Sequence, residues 1–236
     1  MISVPARSSI DFERDGFCLA ADVLCATQRR ALIDVLAQSG SAQARRGSAT
    51  YGARNLLQDE RIKHLASSPP LTSLASELTG GAVRAVRALF FDKTPDANWH
   101  VPWHQDVVVA LAARCDLPVW GPWTTKAGVA HAEAPVDVLA HMVTLRLHLD
   151  DCGADNGPLR VLPRSHARGR LKRDEITQLC AESDAQICVA PAGSAFAMRP
   201  LLVHASSSAQ RPGHRRVLHL EYAPDDALPP PLAWAN

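Results

Sequence analysis

The stretch HMVTLRLHLDD, residues 141–151, decides the fold because it carries the clearest strand pattern in the chain. Aliphatic and polar residues alternate, and successive side chains of a strand point to opposite faces. One face carries Val143, Leu145, Leu147 and Leu149. The other carries Thr144, Arg146 and His148. A strand with a charged second face must border either solvent or a polar cavity, and the pattern leaves both possibilities open.

Working outward from this stretch, the chain changes character at Gly81. Beyond it, short alternating or β-branched runs are separated by clusters of Pro, Gly, Asn and Asp. They predict strands at residues 83–91, 103–111, 143–149, 159–162, 187–189, 194–198, 201–204 and 217–222. Before Gly81, helical spacing predicts helices at about 27–39, with Gly40 as a stop, and at 71–78. Helices followed by roughly eight strands favour an antiparallel sandwich or barrel with helices on one side.

Length and charge narrow the class of partner. The chain has 236 residues, 47% of them hydrophobic, which is enough for a substantial core. Lys plus Arg number 25 and Asp plus Glu number 24, so the formal charge of +1 provides no strong field for nucleic acid or an anionic membrane. A small-molecule partner is therefore expected, and the oligomeric state stays open.

Location is inferred from what the sequence lacks. No segment reaches the roughly 18 apolar residues of a membrane span, and the N-terminus has no apolar core of signal-peptide length. The six cysteines form no CxxC pair, which fits reduced thiols. We expect a cytoplasmic protein.

The tetrapeptide Trp-His-Gln-Asp at 103–106 contains the first candidate metal ligands. Residues two apart on a strand share a face, so His104 and Asp106 can reach one ion while Gln105 points away. An imidazole and a carboxylate supply two of the three ligands of a facial triad and leave other coordination positions open.

A second His-x-Asp motif, His148 and Asp150, competes for the same role. It runs into the turn at 151–157, where aspartates commonly bond their own backbone, so we interpret it as structural. His104 instead precedes the β-branched run 107–109, which should hold it on a stiff strand, as a preorganised metal site requires.

Two further elements lie far along the chain. His204 follows the apolar run 201–203, and a facial triad needs such a distal ligand from another strand. Arg215 and Arg216 enter the last predicted strand. A guanidinium can bind the far carboxylate of a dicarboxylic cosubstrate through two parallel hydrogen bonds. Taken singly, each element also fits a core histidine or a solvated arginine pair.

In its order of parts, the chain resembles the phytanoyl-CoA dioxygenase family, iron- and 2-oxoglutarate-dependent oxygenases built on a double-stranded β-helix, or jelly roll. The resemblance covers most of the chain. It rests on Arg-Asp-Gly-Phe at 14–17, the block at 103–106, residues 155–163, Ser-His at 165–166, then His204 and the arginine after it. In its most specific fragment, Asn-Gly-Pro-Leu, we expect Gly157 to permit a positive φ and Pro158 to open a strand.

This resemblance implies a fold and a set of site residues. The fold would be mainly β with flanking α-helices, a cupin-like jelly roll. One domain would cover residues 1–236, with N-terminal helices in about 1–80 packed on a core in about 83–223. The implied iron ligands are His104, Asp106 and His204. The implied contacts to 2-oxoglutarate are Arg215 or Arg216, Ser206, and Trp123 or Trp120 as a pocket wall.

The implied activity is oxidation of a C–H bond in a small organic substrate, using Fe(II), 2-oxoglutarate and O2 and releasing succinate and CO2. Relatives that halogenate have a small residue in place of the carboxylate, so Asp106 favours hydroxylation or a related oxidation. Two alternatives stay open: a non-catalytic jelly-roll protein that binds metal or ligand, and a cupin-like isomerase or hydrolase with another metal. Because no concentrated basic patch is evident, a free small molecule is expected rather than a coenzyme A ester.

Two places depart from the family pattern. Arg164 stands where the family usually has glycine, so this turn should adopt a conformation that an L-residue tolerates. Residues 116–135 match no general family motif, and we expect them to form a substrate loop or lid.

Overall fold

The computed structural model describes residues 9–39, 43–46 and 49–235. The predicted helix stop at Gly40 lies outside these residues. The α-helices are α1 (Ser9–Asp15), α2 (Ala26–Gln38), α3 (Glu60–Ala66), α4 (Pro69–Thr79), α5 (Val136–Ala140) and α6 (Arg173–Glu182). Short 3-10 helices span Leu56–Gln58 and Ser165–Arg168. The strands are β1 (Phe17–Ala20), β2 (Gln43–Arg46), β3 (Ala49–Ala53), β4 (Arg84–Lys93), β5 (Val101–His104), β6 (Val108–Leu111), β7 (Trp123–Lys126), β8 (Val129–Glu133), β9 (Val143–His148), β10 (Leu159–Val161), β11 (Gln186–Cys188), β12 (Ala195–Met198), β13 (His204–Ser206) and β14 (Arg215–Ala223).

The described strands form a major, a minor and a third antiparallel sheet. The major sheet has the order β1-β12-β9-β14-β4-β3-β2, the minor sheet β11-β10-β13-β5, and the third sheet β6-β8-β7. Phe17 and Phe196 of the major sheet pack in one cluster with Leu159 and Val161 of the minor sheet. The two sheets therefore face each other, and the predicted mainly-β jelly roll is confirmed.

The alternation of residues along β9 gives the major sheet one apolar face and one polar face. Leu145 and Leu147 share an apolar cluster with Leu36 of α2 and Leu74 of α4, so the helices cover the outer face as predicted. Arg146 points to the inner face and lines a cavity between the sheets. Of the two possibilities that the sequence left open for the charged face, the polar cavity is the one that the fold adopts.

Most of the predicted strands are shifted by only one or two residues at their ends, but two differ more strongly from the structure. The run 103–111 is divided, because β5 ends at His104 and β6 begins at Val108 in another sheet. The apolar run 201–203 is a turn, in which Leu202 N donates to Arg199 O at 3.0 Å, and β13 starts at His204. Buried turns and buried strands are both apolar, so hydrophobicity did not distinguish them.

Residues 116–135, which were predicted to form a substrate loop or lid, contain a β-hairpin instead of an irregular loop. Strands β7 and β8 are joined at Ala127 and Gly128, whose φ values of 50° and 79° match the two positive angles of a type I′ turn. The hairpin pairs with β6 and completes the third sheet.

The conformation at Arg164 also differs from the expectation. Its φ of 68° lies in the left-handed region that favours glycine. Its backbone N–H donates to Asp15 O at 3.0 Å, which fixes the turn, and its exposed side chain lies 3.4 Å from the Asp15 carboxylate. The chain thus keeps the glycine-like backbone without the glycine.

The C-terminal tail is wrapped rather than loose. Trp234 pairs with Leu111 in an isolated bridge, and Ala112 N donates to Ala233 O at 2.9 Å. No helix among the described residues combines the length and apolar character needed to cross a membrane.

Candidate metal centre

In the lining of the inner cavity, His104 and Asp106 meet His204, which lies far from them in the sequence. His204 on β13 lies directly opposite His104 on β5 in the antiparallel pairing, and their rings are 4.2 Å apart. The two carboxylate oxygens of Asp106 each lie 3.6 Å from an Nε2 atom, one from His104 and the other from His204. All three ligand atoms fall within 4.8 Å of one another, so one ion can contact them together.

Hydrogen bonds select the tautomer of both imidazoles. His104 Nδ1 lies 2.9 Å from Pro102 O, and His204 Nδ1 lies 2.8 Å from Leu202 O. Each Nδ1–H donates to its carbonyl, which leaves the Nε2 lone pair directed at Asp106. Burial lowers the pKa of His204 to about 4, so this ring is neutral at neutral pH.

Asp106 supplies a negative charge to this cluster. Burial opposes ionisation, but the adjacent His204 and His104 outweigh it and hold the pKa of the carboxyl well below its usual value. Its Oδ2 atom is buried and has no hydrogen-bond partner among the described residues. Unpaired lone pairs that converge on one point fit a divalent transition metal.

Gln105 links the two segments of the chain that carry the histidines. Its side chain points away from the cluster, as predicted. Its Nε2 donates to Leu201 O at 2.6 Å and to Gly169 O at 2.8 Å, and its Oε1 accepts from Leu171 N at 2.8 Å. The amide therefore anchors the turn before His204 to the residue after His104.

The inner cavity has a volume of about 190 Å³ and a polar floor built from alternate residues of three strands. Arg146 donates to His219 Nδ1 at 3.0 Å, His219 Nε2 lies 3.3 Å from Glu221, and Arg87 donates to Glu221 at 3.0 Å. Arginine has no acceptor, so His219 accepts at Nδ1 and carries its proton at Nε2. These contacts hold the side chains of the cavity floor in fixed positions relative to one another.

Arg215 and Arg216 point to opposite faces of β14. Arg215 is 3% exposed, lines the cavity and donates to Gly157 O, while its buried Nε has no partner among the described residues. Arg216 binds the Asp150 carboxylate at 2.8 and 2.6 Å. Only Arg215 is therefore placed to meet a ligand in the cavity, and Asp150 has the structural environment expected of it.

The cavity carries an excess of positive charge. Its lining holds the three arginines Arg87, Arg146 and Arg215 against the two carboxylates Asp106 and Glu221. Beside this lining, Lys93 donates to Ser206 Oγ at 3.1 Å, and burial together with Arg215 lowers the pKa of Lys93 to about 7. Burial and then Arg215 lower the pKa of Arg146 to about 10, and Arg146 Nε also lacks a partner among the described residues. Unpartnered guanidinium donors at this cavity suit a dianionic ligand such as a dicarboxylate.

Trp123 and Trp120 do not occupy the predicted position. Both pack against a cluster that includes Leu111. The tryptophan in the cavity wall is Trp99, over whose ring Lys93 Nζ lies at 5.7 Å. Trp99 follows β4 in a turn and belongs to no motif, so the sequence offered little signal for it. The sequence placed Arg146 on the polar face of a strand but did not show that this face lines a cavity.

The glycine of the Asn-Gly-Pro-Leu block lies beside Arg215, which lines the cavity. Gly157 has the predicted positive φ, 62°, and a Cβ atom there would lie 2.6 Å from Ser207 O. Its carbonyl accepts from Arg215. The block thus positions the Arg215 side chain in addition to forming a turn.

We expect Gly157→Ala to lower the free energy of unfolding more than Gly80→Ala does. Both glycines have positive φ, but a Cβ atom at Gly80 meets nothing within 4 Å. Gly80→Ala should cost about 1–2 kcal/mol for the left-handed backbone. Gly157→Ala should cost about 1–3 kcal/mol more because of the overlap. Urea unfolding of both variants measures the difference, and equal losses would show that the backbone near Ser207 yields freely.

Comparison with known proteins places these features in context. A family model described as Phytanoyl-CoA dioxygenase (PhyH) matches residues 12–217. A relative named L-proline trans-4-hydroxylase, from Streptomyces griseoviridis, is 26% identical over 215 residues, which cover 80% of this chain and 70% of the relative.

Two solved structures share the fold. That of EctD from S. alaskensis with 2-oxoglutarate and 5-hydroxyectoine has a TM-score of 0.70 and 17% identity, and the match covers 93% of this chain and 76% of that one. AviO1 from Streptomyces viridochromogenes has a TM-score of 0.66 and 24% identity over 94% of this chain and 96% of that one.

Proposed function

Because the chain belongs to the phytanoyl-CoA dioxygenase family, an Fe(II)- and 2-oxoglutarate-dependent group of oxygenases, we propose that it hydroxylates a C–H bond of a small organic molecule. Succinate and CO2 are the coproducts. The predicted enzyme class and cofactors are confirmed by this membership, and the alternatives of a non-catalytic binder or a cupin-like isomerase are not supported. Hydroxylation as the outcome agrees with the name of the proline hydroxylase relative and with a carboxylate at Asp106.

The observation that carries the proposal is the convergence of His104, Asp106 and His204 within 4.8 Å, with a buried carboxylate oxygen left unpaired. We assign these three side chains as the iron ligands. When bound, the iron couples the oxidation of 2-oxoglutarate by O2 to oxidation of the substrate. Backbone carbonyls 102 and 202 hold the imidazoles in the ligating tautomer.

The remaining cavity residues bind and orient the cosubstrate. Arg215 presents a guanidinium to the 5-carboxylate of 2-oxoglutarate, and Ser206, held by Lys93, adds a hydroxyl beside it. Trp99 closes one wall and excludes water. Arg216 has no such role, because its guanidinium is occupied by Asp150.

The test is turnover coupled to a spectrum. The purified protein with Fe(II) and 2-oxoglutarate, without O2, is expected to develop the visible charge-transfer band of the chelated complex. On addition of O2 and ascorbate it is expected to release succinate, whereas a sample loaded with Zn(II) should not. Absence of both the band and succinate would refute the proposal. Conversion of a substrate in the absence of O2 would instead support the isomerase or hydrolase alternative.

A further inference from the structure

A second and larger cavity adjoins the candidate metal centre. Its volume is about 410 Å³, within the range of roughly 300–1,000 Å³ common for small-molecule sites. The inner cavity, at about 190 Å³, falls below that range. The two cavities share Leu89, Phe91 and Trp99 as lining residues, so they adjoin along an apolar edge.

The far side of this second cavity is positively charged. Arg54 follows β3, and Lys126 ends β7 at the turn of the hairpin. Asn55 Nδ2 donates to Ala127 O at 3.0 Å, which ties these two segments together and holds both cations on one rim. The rim is therefore made by two separate parts of the chain that are fixed to each other.

The charge on this rim is not neutralised within the described part of the chain, where no carboxylate acts on Arg54 or Lys126. The charged neighbour that acts on both is Arg87, and Arg87 is itself paired with Glu221 at 3.0 Å. Burial and then Arg87 lower the pKa values of Arg54 and Lys126, as expected for crowded cations. Such a rim attracts an anion.

We propose that this second cavity is the substrate pocket and that it takes a small carboxylic acid with an apolar or aromatic body. The inference rests on the proposed function. Arg54 and Lys126 bind the carboxylate, and Phe91 and Trp99 pack on the body. The body is thereby directed toward the edge shared with the inner cavity, which His104 and Asp106 also line. A polar head held away from the metal centre leaves a C–H bond, rather than the carboxylate, facing it.

Charge selectivity of binding tests this assignment. The probes are matched acid and amide pairs, 3-phenylpropionate with 3-phenylpropionamide and hexanoate with hexanamide. They are titrated calorimetrically into the anaerobic protein holding Fe(II) and 2-oxoglutarate. At least one acid should bind about 10-fold or more tightly than its amide, because one hydrogen bond to a charged group contributes about 1.5–3 kcal/mol. Added salt should weaken the binding of the acid and leave the binding of the amide unchanged.

The variants Arg54→Gln and Lys126→Gln locate the effect. Each should reduce the acid's preference by about 10-fold and leave the amide unchanged. The exposed Arg168, which lines neither cavity, provides the matched control Arg168→Gln, and this variant should keep the preference. Equal affinity of every acid and its amide, or a preference that survives both cavity variants, would overturn the proposal.

The visible charge-transfer band is recorded in the same samples. A normal band without acid preference refutes the substrate class alone. A missing band refutes the proposed function, while the calorimetric comparison of acid and amide still decides the charge of the ligand.

Discussion

Asp106→Ala is expected to weaken Fe(II) binding by more than about 100-fold and to reduce succinate release accordingly. The carboxylate lies 3.6 Å from both Nε2 atoms and is the negative member of the candidate ligand set. Loss of residues that merely support a metal ligand costs about 10–100-fold in metal affinity, so loss of a ligand should cost more than about 100-fold. Calorimetric titration of Fe(II) under anaerobic conditions measures the affinity, and a succinate assay measures turnover.

Thermodynamic stability provides a second measurement of iron binding. The free energy of unfolding of the wild type should rise by about 2.7 kcal/mol when free Fe(II) is present at 100 times its dissociation constant. That of the variant should rise by less than about 0.5 kcal/mol at the same concentration.

The second His-x-Asp motif supplies the matched control. Asp150 pairs with Arg216 on the other face of the major sheet, so Asp150→Ala should reduce stability and preserve Fe(II) affinity. If Asp106→Ala retained wild-type iron affinity, or if Asp150→Ala lost it, the ligand assignment would be wrong.

Arg215→Met is expected to raise the concentration of 2-oxoglutarate needed for half-saturation by about 30-fold or more. The guanidinium is 3% exposed, and truncating one partner of a buried charge pair costs about 2–5 kcal/mol. Fe(II) affinity should not change, because Arg215 is not a member of the ligand cluster. Titration of 2-oxoglutarate against the charge-transfer band measures the effect without requiring turnover.

Arg216→Met is the neighbouring control. Its loss breaks the bond to Asp150 on the outer face, so the free energy of unfolding should fall while 2-oxoglutarate binding stays as in the wild type. An unchanged affinity in Arg215→Met would assign the carboxylate to another cation, with Arg146 the next in the cavity.

Strand periodicity predicted much of the architecture. The alternation of residues 141–151 identified β9 and separated its apolar face from its charged face. On β14 the sequence left the choice between Arg215 and Arg216 open, and the cavity lining selects Arg215. Local patterns are sufficient where one strand has one buried and one polar face. The candidate ligand triad was implied by the family resemblance, and the structure adds that its members are spatial neighbours.

Features that depend on distant contacts could not be predicted in this way. The break between β5 and β6 depends on Gln105 and on the bond from Asp106 N to Pro200 O, 2.9 Å long. The positions of Trp99, Arg54 and Lys126 around two cavities depend on loops whose meeting leaves no periodic signal. The left-handed backbone at Arg164 was missed because a hydrogen bond to Asp15, and not residue preference, fixes it.

The cross-strand pairing of His104 with His204 makes metal loading a reporter of strand registration. A slip of one residue between β5 and β13 would turn one imidazole to the opposite side of the minor sheet and separate the two ligands. Molecules with a shifted pairing would then not bind the ion. Iron binding during refolding should therefore distinguish native chains from compact chains in which β5 and β13 pair in the wrong register.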